Sequence, residues 1–152
     1  MPSAGEFCNR RVAIAMKAES IQDVARRMRD EHVGSVVVIE EHAPGKPIPI
    51  GMLTDRDIVV RLLAASDRHV HSMRVGDVMT EELVKAWEDD DLSDVVKRMR
   101  SFGIRRVPVV DRSGALQGII SLDDVIEFLQ EQVTDMSNLL SRERHREERP
   151  TP

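Results

Sequence analysis

"GMLTDRDIVV", residues 51–60, sets a glycine and two apolar residues before Thr-x-x-Asp and a further apolar run. "GIISLDDVIE", residues 118–127, repeats that order, with Ser121 for Thr54 and Asp124 for Asp57. A word written twice makes a duplicated unit the first reading to test. Working outward, "SIQDVARRMRDEHVGSVVVIE" (20–40) aligns with "DLSDVVKRMRSFGIRRVPVVD" (91–111), Met28 falling on Met99 at an offset of 71 residues. The Gly51 and Gly118 words align at an offset of 67, so the first copy is longer by four residues. "EHAPGKPIP" holds that excess, and its prolines and glycine read as a surface turn.

Each copy predicts the same elements. Ile21, Val24, Ala25 and Met28 fall at i, i+3, i+4 and i+7, one face of a helix, as do Leu92, Val95, Val96 and Met99. Ser20 and Asp91 stand before these faces as N-caps, each with an acid three residues on. The β-branched runs "SVVVIE" and "RVPVVD" read as buried strands. A second strand follows, "IPIGML" or "ALQGII", then a second helix over 54–64 or 121–131. Short extended pieces, "RVAIAM" and "LVKAW", lead the two units. The order per copy is strand, helix, strand, strand, helix. One such unit leaves a sheet face bare, and two bury it, so the fold class is α/β with two pseudo-symmetric repeats packed as a pair. The expected divisions are repeat 1 at 8–64, a linker at 65–80 with a helical turn at "VGDVM", repeat 2 at 81–131, and a charged tail at 132–152. The end of that tail reads as a solvated helix end or a disordered segment.

Composition narrows the function. The 152 residues suit one domain or two small lobes sharing a core, and the formal net charge of −5 disfavours wrapping a nucleic-acid polymer. Trp87, Phe7, Phe102 and Phe128 are the only aromatic residues, too few for a base-stacking platform. Cys8 is the single cysteine, so no internal disulfide forms and a reducing, cytoplasmic setting is expected. Cys8 itself reads as a small buried residue. No apolar run reaches the roughly 18–20 residues of a membrane span, and "MPSAGEFCNRR" lacks a secretory apolar run. His69 and His71 stand at i, i+2 with no third ligand beside them, so they read as a solvated linker and no metal site is assigned. Asp89, Asp90 and Asp91 read as the cap of the next helix. No P-loop, GxGxxG fingerprint or activated nucleophile is present, so no catalytic residue is named and an enzyme is not expected.

Thr-x-x-Asp at a strand-to-helix junction has two readings. It makes a capping box that satisfies orphan amides at the helix start. It also places a carboxylate and a hydroxyl where the helix N-terminus favours polar or anionic groups, and a carboxylate there can accept from both hydroxyls of a ribose. The two roles are compatible, and the word alone does not separate them.

The two copies, "VGDVM", "GIRRVPVVD" and the two Gly-x-x-Thr/Ser-x-x-Asp words together resemble the tandem CBS-domain family, named for cystathionine beta-synthase, in its small stand-alone bacterial form. The resemblance covers about residues 8–130. It implies a bound adenosine-containing ligand (AMP, ADP, ATP, S-adenosylmethionine or, in some members, NAD) in clefts between the repeats, and no catalytic cofactor. It assigns ribose binding to Thr54, Asp57, Ser121 and Asp124, phosphate binding to Arg105 and Arg106, and an apolar base contact to Val107 with Pro108 completing the motif. It further implies a homodimer through the second helices and a regulatory action on an unidentified effector protein. The first copy departs from the pattern, with Gly34 and Ser35 in place of the arginines and Val37 in place of the proline. One better phosphate-accepting cleft is therefore expected. Which carboxylate shares a ligand with Arg105 and Arg106 is open at this point. The alternative is a protein-interaction or structural dimerisation module without a metabolite.

Overall fold

The computed structural model describes residues 1–64 and 69–148. In chain order the elements are α1 (Ala4–Phe7), β1 (Ile14–Met16), α2 (Ile21–Glu31), β2 (Ser35–Ala43), β3 (Lys46–Thr54), α3 (Asp55–Asp57), α4 (Val75–Val78), β4 (Ala86–Trp87), α5 (Leu92–Phe102), β5 (Arg106–Val110), β6 (Leu116–Ser121) and α6 (Leu122–Glu147). They divide into two units, Met1–Ile120 and Ser121–Pro152.

The duplicated order is present: strand, helix, strand, strand, helix, twice. One sheet has the order β1-β2-β3 and the other β4-β5-β6. In each, the short leading strand runs parallel to the central one, with Ile14 opposite Val37 and Ala86 opposite Val109. The i, i+3, i+7 faces are buried as their spacing requires, Ile21, Val24 and Met28 in α2 and Leu92, Val95 and Met99 in α5. Both helices are capped at both ends. Ser20 Oγ accepts from Asp23 N at 3.1 Å, and Asp91 Oδ1 accepts from Ser93 N at 2.8 Å. His32 and Gly103 close the C-termini in left-handed conformations, φ 54 and 64. Cys8 is buried, and that burial pushes its thiol pKa up.

The repeat extends to a polar clamp. Arg27 Nη1 donates to Ile14 O at 2.6 Å, and Arg27 Nη2 pairs with Glu19 Oε1 at 2.5 Å. Arg98 Nη1 donates to Lys85 O at 2.8 Å and pairs with Asp90 Oδ2 at 3.0 Å. Glu19 and Asp90 also accept from the leading strands, at Met16 N and Trp87 N. A planar, five-donor guanidinium can bond a carboxylate and a carbonyl together, so one arginine ties each leading strand to the helix after it.

The segment in front of each repeat docks on the other repeat. Ahead of repeat 2, Val75 N donates to Glu19 O and Gly76 N to Lys17 O, both at 2.9 Å, while Ile21 N donates to Met73 O at 3.1 Å. Ahead of repeat 1, Ala4 N donates to Asp90 O at 2.7 Å, Gly5 N to Glu88 O at 2.9 Å and Leu92 N to Pro2 O at 3.0 Å. Each segment then bonds reciprocally to the far strand: Thr80 with Met52, and Asn9 with Ile119. These crossings explain the two glycines of the repeated word. A Cβ on Gly51 would sit 2.6 Å from Thr80 O, and one on Gly118 would sit 2.5 Å from Cys8 Sγ and 2.7 Å from Asn9 O.

Three features differ from expectation. Most of the segment read as a surface turn in the first copy lengthens a hairpin instead, because β2 runs to Ala43 and β3 starts at Lys46, which leaves the turn to Pro44 and Gly45, the latter at φ +76. The second helix of repeat 1 has α geometry only over α3 and continues as a π-helix through Ile58–Leu63. The last helix does not stop near residue 131: α6 runs on to Glu147, so of the two readings of the charged end the solvated helix is the one seen as far as Glu147. The helical turn expected at "VGDVM" is α4. The parts of the expected linker and tail at 65–68 and 149–152 lie outside the described residues.

Candidate functional site

The end of β3 delivers Thr54 and the first turn of α3 delivers Asp57, and they close a reciprocal capping box. Thr54 Oγ1 accepts from Asp57 N, and Asp57 Oδ2 accepts from Thr54 N, both at 3.0 Å. The other carboxylate oxygen, Asp57 Oδ1, lies 3.8 Å from Arg61 Nε, and the Asp57 side chain is 19% exposed. The cap thus uses Oδ2 and leaves Oδ1 for a second partner at the helix start.

Thr54 and Asp57 line a cleft of about 530 Å³. Arg105 and Arg106 line the same space. The structure therefore brings the hydroxyl and carboxylate of the first copy together with the arginine pair of the second. Met52, Leu83, Val84 and Ile104 add apolar surface to the lining. Asp55, Asp57 and Glu82 offset Arg56, Arg105 and Arg106, so the charges balance but are not uniform. Such a lining suits a ligand with a flat apolar part, a polyhydroxylated part and an anionic part. Gly34 lines the cleft as well, and a Cβ there would meet Asp55 Oδ2 at 3.1 Å. The first-copy counterpart of Arg105 thus lies against a carboxylate.

Val107 and Pro108 are buried within β5, Val107 completely, and neither lines this cleft. Ser121 and Asp124 start α6, in the other unit, where Ser121 Oγ accepts from Asp124 N at 3.1 Å. Thr80, Glu82, Leu83 and Val84 were not among the expected site residues. They follow "VGDVM" in a stretch without a motif, and the only signal available was the chain's need to cross from one repeat to the other. His71 Nδ1 lies 2.9 Å from Gln22 Oε1, and among the described residues no group of three or more His, Cys, Asp or Glu could hold a metal ion. Among those residues no helix is long and apolar enough to cross a membrane.

A family model for the CBS domain matches residues 4–64 and 75–131. An uncharacterized protein of Methanopyrus kandleri is 33% identical over 125 residues, 82% of this chain and 61% of that protein, so the chain spans about three fifths of that relative. The CBS domain-containing protein YhcV of Bacillus subtilis is 33% identical over 138 residues, 91% of this chain and 89% of that protein. Among solved structures, a CBS domain pair in complex with 5′-methylthioadenosine and S-adenosyl-L-methionine superposes with TM-score 0.73 at 21% identity, covering 87% of this chain and 98% of the other. The cytosolic domain of the Mg²⁺ channel MgtE, in complex with ATP, superposes with TM-score 0.68 at 25% identity, covering 84% of this chain and 48% of the other.

Proposed function

Because the chain belongs to the CBS-domain family, we propose that it is a cytoplasmic regulatory module that binds an adenosine-containing ligand and acts on a partner protein rather than catalysing a reaction. The observation that carries this reading is the meeting of Thr54 and Asp57 with Arg105 and Arg106 around one cleft. Asp57 and the Thr54 hydroxyl read the ribose, while Arg105 and Arg106 take phosphate through charge-assisted bonds. Met52, Leu83, Val84 and Ile104 flank the base. Val107 and Pro108 support from behind, as the buried strand that carries the arginines. Ser121 and Asp124 are the corresponding hydroxyl and carboxylate of the second copy and read a second ribose. The relatives solved with S-adenosyl-L-methionine, 5′-methylthioadenosine and ATP support the ligand class. The ligand acts by population shift, stabilising the arrangement it binds better. The module self-associates as a homodimer through its second helices, on which Val59, Val60 and Leu63 are exposed.

Isothermal titration of nucleotide-stripped protein with ATP, ADP, AMP, S-adenosylmethionine and NAD tests the reading. Saturable binding of one of them is expected, and Arg105→Ala/Arg106→Ala should weaken ATP far more than adenosine. Equal loss for both removes the phosphate role. The completed capping box favours the second reading, an interaction module without metabolite, in which Asp57 only caps α3. No heat across the whole panel would select it.

A further inference from the structure

Every residue of α6 from Leu129 to Glu147 is exposed. A helix segment of this length holds its shape poorly in water without a packed face. Its apolar residues fall on one stripe. Leu122, Ile126, Leu129, Val133, Met136 and Leu140 alternate at spacings of four and three, the a and d positions of a heptad. The last five are 44–66% exposed. The stripe spans about 27 Å of helix. It ends at the next d position, which is Glu143.

The charges identify what covers it. Between Val125 and Leu140 the residues flanking the seam at e and g are Val125, Gln130, Gln132, Ser137 and Leu139, none of them charged. The charged residues of that stretch, Glu127, Glu131 and Asp135, all fall at b, f and c on the opposite side. The seam offers no ion pair to an acidic or basic partner. A second copy brings the same neutral seam and holds its own acids away from it. β-Branched Ile126 and Val133 at a, with Leu129 at d, favour two parallel strands, each residue meeting its twin.

We propose that α6 docks along its Ile126–Leu140 stripe against α6 of a second copy of this chain, as a short parallel coiled coil extending beyond the second helices. The inference is independent of the ligand reading, since none of these residues lines the cleft. Analytical ultracentrifugation of the full chain tests it. Wild type is expected to be a dimer at micromolar concentration. Val133→Glu/Leu140→Glu, both at exposed positions, should raise the dimer dissociation constant by about a hundredfold while nucleotide titration of the same variant is unchanged. Val133→Cys should form a disulfide-linked dimer under mild oxidant. Glu131→Cys, on the outer face, and wild type with its buried Cys8 should not. A monomeric wild type, a dimer indifferent to the double substitution, or cross-linking as ready at position 131 as at 133 would each overturn the proposal.

Discussion

Substitution at Asp57 separates the two roles of its carboxylate. Asp57→Ala deletes the acceptor at 3.0 Å from Thr54 N and the partner 3.8 Å from Arg61. Loss of an N-cap box of this kind costs about 0.5–2 kcal/mol, and for a chain of this size that is a fall in Tm of about 2–8 °C. Asp57→Asn keeps one oxygen to accept from Thr54 N, so most of the cap survives. It turns Oδ1 into an amide donor and removes its charge. A charge-assisted hydrogen bond contributes about 1.5–3 kcal/mol, which converts to roughly 10–150-fold in affinity. The expected pattern is therefore crossed. Thermal unfolding without ligand should rank wild type close to Asp57→Asn and above Asp57→Ala, whereas titration with the tightest-binding nucleotide should show both variants weakened at least about tenfold. Asp57→Asn binding as tightly as wild type would refute the ribose role and leave Asp57 as a cap.

Gly51→Ala and Gly118→Ala should each destabilise by about 1–3 kcal/mol, because the new Cβ meets backbone oxygen; an unchanged Tm for either would mean the crossing segments shift at no cost. Val107→Ala should cost about 2 kcal/mol in chemical denaturation and leave nucleotide affinity within twofold, as its side chain is fully buried away from the cleft; a loss of affinity without loss of stability would put it at the base. Glu19 has its carboxyl held below the usual range, first by the hydrogen bond from Arg27. A depressed folded-state pKa contributes stability above the unfolded value and loses it as pH falls through the folded value. The stability gap between wild type and Glu19→Gln should thus be full at pH 7 and close on acidification below the ordinary glutamate value of 4.5; a gap independent of pH would exclude the ion pair as its source.

The repeated elements were legible because they are written in side chains: the i, i+3, i+4 faces ending at Met28 and Met99, the β-branched runs, and the Thr54 and Ser121 caps. The crossing of Pro2–Asn9 and Arg74–Thr80 was not legible, because it is made by backbone amides and carbonyls that any residue supplies. Its one trace was the pair of glycines, Gly51 and Gly118, whose meaning needs the neighbour to be known. The same limit hid half of the cleft. Arg105 and Arg106 stand out by type, whereas Thr80, Leu83 and Val84 matter only for where the crossing leaves them. The π-helix after Asp57 carries no mark in "IVVRLL" that distinguishes it from an α-helix. The course of α6 past residue 131, as far as Leu140, was written in heptads that the 121–131 reading did not follow.

The exchange of leading segments also orders events during synthesis. Arg74–Thr80 can dock soon after it is made, because the strands and helix of repeat 1 precede it in the chain. Pro2–Asn9 is made first, yet its partners lie at Glu88, Asp90 and Ile119. It must wait while roughly a hundred further residues emerge at about 5–20 per second. For those seconds Ala4 and Cys8, buried in the finished protein, stand in water. The nascent chain thus exposes part of its own core until β6 has left the ribosome. A stall just before Ile119 would leave repeat 2 without the reciprocal bond to Asn9.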